Sequence, residues 1–261
     1  MELATSFDRL SYVHNLEIAP PHPEIAALAG RSTARAAQVT LDGPTASIDA
    51  GSLVSFTASV SPQHRSDALN STLLAQLNSD KLHDRFDPAQ VIDWYRNYTT
   101  VLSNIGWDMQ AFDLEHYRAE GSTMSVSTAV LGVMAALIPA GELAIVSAAL
   151  KALSSLKSDD PWYRVWDVST HDTSRGNFQI GHGTDADGAE NTLVLRLSGY
   201  SLRTSETTAR FLWNNYHTSS TELQFAGQTA TLDEDVYSKV RATIVSKLGT
   251  RATTYVANLD I

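Results

Sequence analysis

Thr192-Leu193-Val194-Leu195-Arg196-Leu197-Ser198-Gly199-Tyr200 decides the fold class. Leu193, Leu195 and Leu197 alternate with Thr192, Val194, Arg196 and Ser198, and a period of two sends the two sets to opposite faces of a strand. Outward from it, Tyr163 to Val168, Asn177 to Gly181, Arg210 to Tyr216 and Thr221 to Ala226 read as further strands. Asp187-Gly188 is a turn signal between two of them. Asp233 reads as the N-cap of a late helix, with Val236, Val240, Ile244 and Leu248 on one stripe and Gly249 as its stop. Tyr255, Ala257, Leu259 and Ile261 suggest a closing strand. Residues 162–261 are therefore expected to be β-rich with one late helix.

Toward the N-terminus the pattern becomes helical. Ser52 to Ser61 reads as a strand, with Val54, Phe56, Ala58 and Val60 on one face. A helix follows Pro62, where Leu69, Leu73 and Leu77 recur every four residues. In the next helix Asp87 is the expected N-cap, Pro88 stands at N1 and Gln90 at N3 completes a capping box. Val91, Trp94, Tyr95, Tyr98, Val101, Leu102 and Ile105 keep helical spacing, and Gly106 supplies the left-handed stop. Trp107 to Tyr117 reads as a strand of mixed alternation. Residues 1–50, broken at Pro20-Pro21-His22-Pro23 and again at Asp42-Gly43-Pro44, are expected to be irregular. The sum is an α+β fold over residues 1–261 as a single domain. It is a largely antiparallel sheet packed with helices, including a central apolar helical hairpin.

Composition bounds the function. The chain has 261 residues, 43% of them apolar and 18% charged, enough to build a core. Nineteen Lys and Arg against 29 Asp and Glu give a formal charge of −10. Such a surface repels phosphate backbones, so nucleic acid is not an expected partner, and no polybasic run offers a membrane anchor. The absence of cysteine removes disulfides, thiolate nucleophiles and cysteine-ligated metals. Met1 to Arg9 has neither a basic nor an apolar signal region. Cytoplasmic synthesis is expected, with release or export by a signal-free route.

The least ordinary feature is the stretch from Gly121 to Leu150, whose only ionisable side chain is Glu142. Pro139-Ala140-Gly141 breaks it, so residues 122–156 read as two short antiparallel helices. An arm of about 13 residues rises roughly 20 Å, short of the ~30 Å hydrocarbon layer. Ala129, Gly132, Ala135, Ala136, Ala148 and Ala149 would let the arms approach closely. A helix apolar all round is ordinarily buried in a core. The sharper expectation is a hairpin stored against the sheet and released to lipid. It would make contact through Val126, Val130, Val133, Met134, Leu137, Ile138, Leu143, Ile145, Val146 and Leu150. Glu142 near the tip becomes easier to bury once protonated, which makes it the pH-trigger candidate. Ser147, Lys151, Ser154 and Ser155 give the second arm a polar stripe, suited to a surface-facing helix or a wet lumen.

Chemistry is harder to find. None of the eight histidines belongs to a metal motif, and His116 reads as a surface or half-buried residue. Asp185, Asp187 and Glu190 resemble a fragment of a calcium loop, but the regular ligand series and closing glutamate are missing, so a solvated turn explains them better. No serine elbow and no nucleotide loop is present. Aromatics at Trp94, Tyr95, Tyr98, Trp107, Trp162, Tyr163 and Trp166 read first as core. No catalytic residue, metal or cofactor is assigned. The expected function is a non-enzymatic, membrane-active or toxin-like protein acting on a lipid membrane. The alternatives are a soluble binding or assembly module, with the hairpin as core or as an interface to a protein partner or a second copy, and a hydrolase whose site lies between His171 and Glu190.

Overall fold

Burial on both faces explains where the sequence pattern is clear and where it fades. The computed structural model describes residues 6–28, 43–185, 192–206 and 210–261. In chain order its elements are α1 (Ser6–Asn15), α2 (Pro23–Leu28), β1 (Thr45–Asp49), β2 (Ser52–Phe56), α3 (Pro62–Leu82), α4 (Val91–Ile105), β3 (Trp107–Asp108), β4 (Glu115–His116) and β5 (Thr123–Ser125). Then come α5 (Val126–Leu137), α6 (Ala140–Ser155), α7 (Pro161–Thr170), β6 (Arg175–Asp185), β7 (Leu193–Thr204), β8 (Asn215–His217), β9 (Thr221–Leu232), α8 (Glu234–Leu248), α9 (Arg251–Tyr255) and β10 (Val256–Leu259). A 3-10 turn at Phe211–Trp213 precedes β8.

The main sheet runs β10-β1-β2-β6-β7-β9-β3, with β4 also on β9, and β5 pairs separately with β8. β2 and β6 are parallel, and the other pairs are antiparallel. The long β6–β7–β9 ladder is its centre. Helices cover both faces. Asp49, Asn177, Gln179 and Gly199 point to α3 and α4. Ile48, Ile180, His182, Ser198 and Tyr200 point the other way, toward α5, α6 and α7. A sheet covered twice has no wet face, so β6 is buried almost end to end and shows no simple alternation. The fold is α+β with a mostly antiparallel sheet.

Several elements differ from the sequence reading. The first fifty residues hold α1, α2 and β1, while residues 29–42 lie outside the description. The strand from Ser52 stops at Phe56; Ser61 instead caps α3, its hydroxyl accepting from His64 N at 3.2 Å, with Pro62 in the first turn. Asp87 organises a turn before α4, accepting from Ala89 N, and the helix begins at Val91. Gly106 caps α4 at φ 114°, as the spacing requires. Trp107 to Tyr117 is reduced to β3 and β4. Tyr163 to Val168 is not a strand but part of α7, capped by Asp160 and opened by Pro161. Its β-branched and aromatic residues are dictated by burial, with Trp162, Tyr163 and Trp166 all inside. The segment after Arg210 is split by the 3-10 turn, and α9 precedes the closing strand. Asp233 and Gly249 bound α8 where expected.

Candidate functional site: the apolar helix pair

Residues 126–155 form two consecutive helices separated by Ile138 and Pro139. The Ser125 hydroxyl accepts from Thr128 N at the start of α5, and Pro139, lacking an amide hydrogen, ends the ladder before α6. α5 lies against β7 and β9, and α6 against β1, β2 and β10, with the two helices also touching. Among the expected contact residues, Val126, Val130, Val133, Met134, Ile138, Val146 and Leu150 are buried, and Leu137, Leu143 and Ile145 are half-buried. Met134 Sδ receives the Ser198 hydroxyl at 3.2 Å, and Leu137 fills the space over Gly227. In this state Met134 and Leu137 are committed to the sheet.

What faces outward is different. Thr128, Gly132, Ala135, Ala136, Pro139, Ala140, Gly141, Ala144 and Ser147 are exposed. A Cβ added at Gly132 or Gly141 would meet nothing within 4 Å. Of the small residues expected to bring the arms together, Gly132, Ala135 and Ala136 instead form the outer skin of the pair. Ala129 and Ala149, by contrast, are buried.

Both ends of the pair are held. At the entrance β5 pairs with β8, and Thr218 donates from N to Ser122 O at 3.0 Å and from Oγ1 to Gly121 O at 3.2 Å. At the exit the Arg210 guanidinium donates to Leu156 O at 3.2 Å and to Ser154 O. It lies 4.8 Å from the Tyr163 ring centroid and 5.2 Å from that of Trp213. A cation at a helix C-terminus satisfies orphaned carbonyls and opposes the dipole's negative end. Arg210 itself has φ 54°, a left-handed conformation unusual for a side-chain-bearing residue.

Beneath the first turn of α6 lies a polar line. Glu142 Oε2 is 3.2 Å from His182 Nε2, and His182 Nδ1 is 2.9 Å from Ser55 Oγ. Ser55 also donates to Gly181 O at 3.3 Å. The carboxylate and imidazole are close but not aligned for a hydrogen bond, and neither atom has another partner. Burial pushes His182 down to about 4, and the nearby Arg196 adds to the shift. The sequence of Ser, His and Glu has the order of an acyl-transfer relay. With Ser55 1% and His182 0% exposed, no substrate carbonyl can reach the hydroxyl in this state. His182 belongs to the polar region the sequence singled out, but Ser55 was legible only as a strand residue.

Of the cation candidates, Asp185 ends β6, while Asp187 and Glu190 lie outside the described residues. Another cluster, His64, Asp67 and Glu234, does converge. Arg241 already occupies it, donating to Asp67 at 2.9 Å twice and to Glu234 at 2.7 and 2.8 Å, so the carboxylates have their cation. His116 is exposed and 3.1 Å from Glu222. The Trp94, Tyr95, Tyr98 and Trp107 group is buried, as expected of core.

No family model and no curated protein matches this chain. Three solved structures show a distant likeness. A delta-endotoxin is 8% identical, with 69% of this chain and 79% of that one covered and a TM-score of 0.41. Activated Cyt2Ba from Bacillus thuringiensis subsp. israelensis is 11% identical, covering 70% and 97%, with a TM-score of 0.40. The Evf virulence factor is 11% identical, covering 89% and 90%, with a TM-score of 0.36.

Proposed function

We propose that this chain is a non-enzymatic, membrane-active protein of toxin-like action, and that α5 and α6 are its lipid-contacting element. The observation that carries this reading is the outer skin of the pair. On a chain of net charge −10, the exposed positions between Thr128 and Ser147 carry only small uncharged residues, and Glu142 is the one partly exposed charge among them. Larger apolar side chains are stored directly beneath this skin. Low charge allows approach to an apolar phase, and the stored side chains supply burial energy of about 25 cal/mol per Å² once they turn to lipid. Among the described residues no helix is long and apolar enough to cross a membrane. Twelve and sixteen residues rise about 18 and 24 Å, each short of the ~30 Å hydrocarbon layer.

Vesicle flotation and dye release test the reading. Ala135→Asp and Ala144→Asp place charges on exposed positions, so the fold should be unchanged while both signals fall. Full lipid binding by these folded variants, or none by the parent protein on any lipid, removes the proposal. A second reading has its own observation: the open space over Gly132 and Gly141 would accept a helix of another copy at close range. Light scattering separates it, since an assembly through this face is disrupted by the same variants without lipid.

A further inference from the structure

One row of side chains crosses the sheet with two like charges side by side. Arg175 on β6 is directly opposite Arg203 on β7, and Arg203 is directly opposite Glu222 on β9. Directly paired residues share a face, and like charges placed so destabilise a sheet. The Arg175 guanidinium donates to Phe86 O at 2.8 Å. Among the described residues no carboxylate comes within ion-pair reach of it, and Asp87 acts on it from farther away. Arg203 Nη1 is 3.9 Å from Glu222 Oε2, and that carboxylate also lies 3.1 Å from His116 and accepts from Gln224 at 3.2 Å. On a chain of net charge −10, two neighbouring arginines thus share part of one carboxylate.

The same row lines a polar cavity of about 490 Å³ whose remaining wall is hydroxyl: Ser174, Thr204 and the run Thr218 to Thr221. Glu206 already takes the Ser220 hydroxyl and Gly121 O that of Thr218. The hydroxyls of Ser174 and Ser219 have no partner among the described residues and are free to donate. We infer that this cavity binds a phosphate group between Arg175 and Arg203. A guanidinium presents its N–H donors in a planar fork that fits two phosphate oxygens, and a pair of them grips one group from two sides. Hydroxyls donate to the oxygens left over. The bound anion supplies the charge that the row lacks. An uncharged sugar would satisfy the hydroxyls and leave the like pair uncompensated. Glu222, at the third position of the row, repels the anion and limits its affinity. Phosphate binding is a property of the protein in water; a lipid headgroup as the source of that phosphate rests on the membrane reading. Thr218 lines the cavity and ties Gly121 and Ser122 at the entrance of the helix pair, so a headgroup held here lies beside that entrance.

Inorganic phosphate is the probe, titrated into the full chain at constant ionic strength so that screening does not change. Calorimetry and the arginine side-chain N–H resonances should report one saturable site, with chloride giving none. Arg203→Gln should weaken phosphate by about tenfold or more through loss of a charge-assisted contact. That side chain is more than half exposed, so the variant should fold. Glu222→Gln should tighten phosphate several-fold, an opposite sign that a structural role alone does not give. Arg96→Gln, an exposed arginine outside the cavity, should change nothing. Phosphate no better than chloride, parental affinity in Arg203→Gln, no tightening in Glu222→Gln, or equal weakening in Arg96→Gln overturns the site. Vesicles of phosphatidylcholine and phosphatidylglycerol separate the sources. With a headgroup bound, free phosphate competes with vesicle flotation and Arg203→Gln reduces it. Flotation that ignores both, beside intact phosphate binding, sustains the site for a soluble phosphate and overturns the headgroup as its source. Phosphate binding with no vesicle binding by the parent protein sustains the site and removes the membrane reading.

Discussion

The Tyr95 ring occupies the space that a side chain on Gly199 would fill: a Cβ there would lie 2.5 Å from Tyr95 Cε1. The hydroxyl beyond that ring donates to Asn177 Oδ1 at 2.8 Å, lies 3.0 Å from Tyr200 O, and accepts from Tyr200 N at 2.9 Å. Burial raises Tyr95 well above the ordinary phenol range, so it stays neutral and can keep donating. α4 is thereby fastened to the centre of β6 and β7.

Gly199→Ala follows directly. The ring cannot retreat without breaking several buried hydrogen bonds, so the added methyl should cost about 1–3 kcal/mol or more. Urea denaturation should show a lower midpoint at unchanged slope. A midpoint equal to that of the parent protein would mean that the ring moves freely.

Asp49 carries a pH signature of its own. It is fully buried, its Oδ2 accepts from the Thr72 hydroxyl at 2.5 Å, and its Oδ1 has no partner. Burial pushes the carboxyl up to about 8 from 3.8. The folded state therefore keeps a proton that the unfolded chain has lost, and stability falls as pH rises from 3.8 to about 8, at about 1.4 kcal/mol per unit at most. Asp49→Asn should flatten this dependence and be the more stable form near its upper end. Thermal melts across the window check it, and a retained slope in Asp49→Asn would show that another group titrates.

Arg210→Ala should loosen the exit of the pair without unfolding the sheet. It removes charge-assisted bonds to Ser154 O and Leu156 O and the cation stacked on Tyr163 and Trp213. Each bond to a charged group is worth about 1.5–3 kcal/mol, partly recovered by water. Exchange should rise at residues 150–156 and leave β6 and β7 unaffected. Uniform loss of protection across the chain would show that Arg210 supports the whole fold.

Arg241→Ala should be more severe. Asp67 is buried, and without the guanidinium its carboxylate and that of Glu234 face each other uncompensated. Loss of one partner from such a group costs about 3–5 kcal/mol. Adding Asp67→Asn should recover much of that. A double variant no better than Arg241→Ala would mean the arginine acts through packing on Tyr237, 5.4 Å from its ring centroid, and not through charge.

Local signals were legible wherever a residue acts on its own neighbours. Asp233, Gly106 and Gly249 mark helix ends because capping is settled within a few residues of chain. The alternation of β7 and the stripe of α8 reveal strand and helix because each has one preferred apolar face. The run from Gly121 to Leu150, ionisable only at Glu142, and its break at Pro139 were plain for the same reason.

Contacts over long sequence separations were not legible. Trp162, Tyr163 and Trp166 form a helix because Asp160 caps it and the sheet buries it, against a composition that favours a strand. The direction of each side chain on α5 and α6 depends on which face the sheet claims, and only the fold shows that the small residues face water. Ser55, Glu142 and His182 stand 87 and 40 positions apart in turn and meet because parallel pairing of β2 with β6 sets Ser55 beside His182, with α6 laid across them. Composition determined that this chain would hide an uncharged helical segment. Tertiary packing decided what holds it, because register and burial are properties of the assembled sheet and of no single segment.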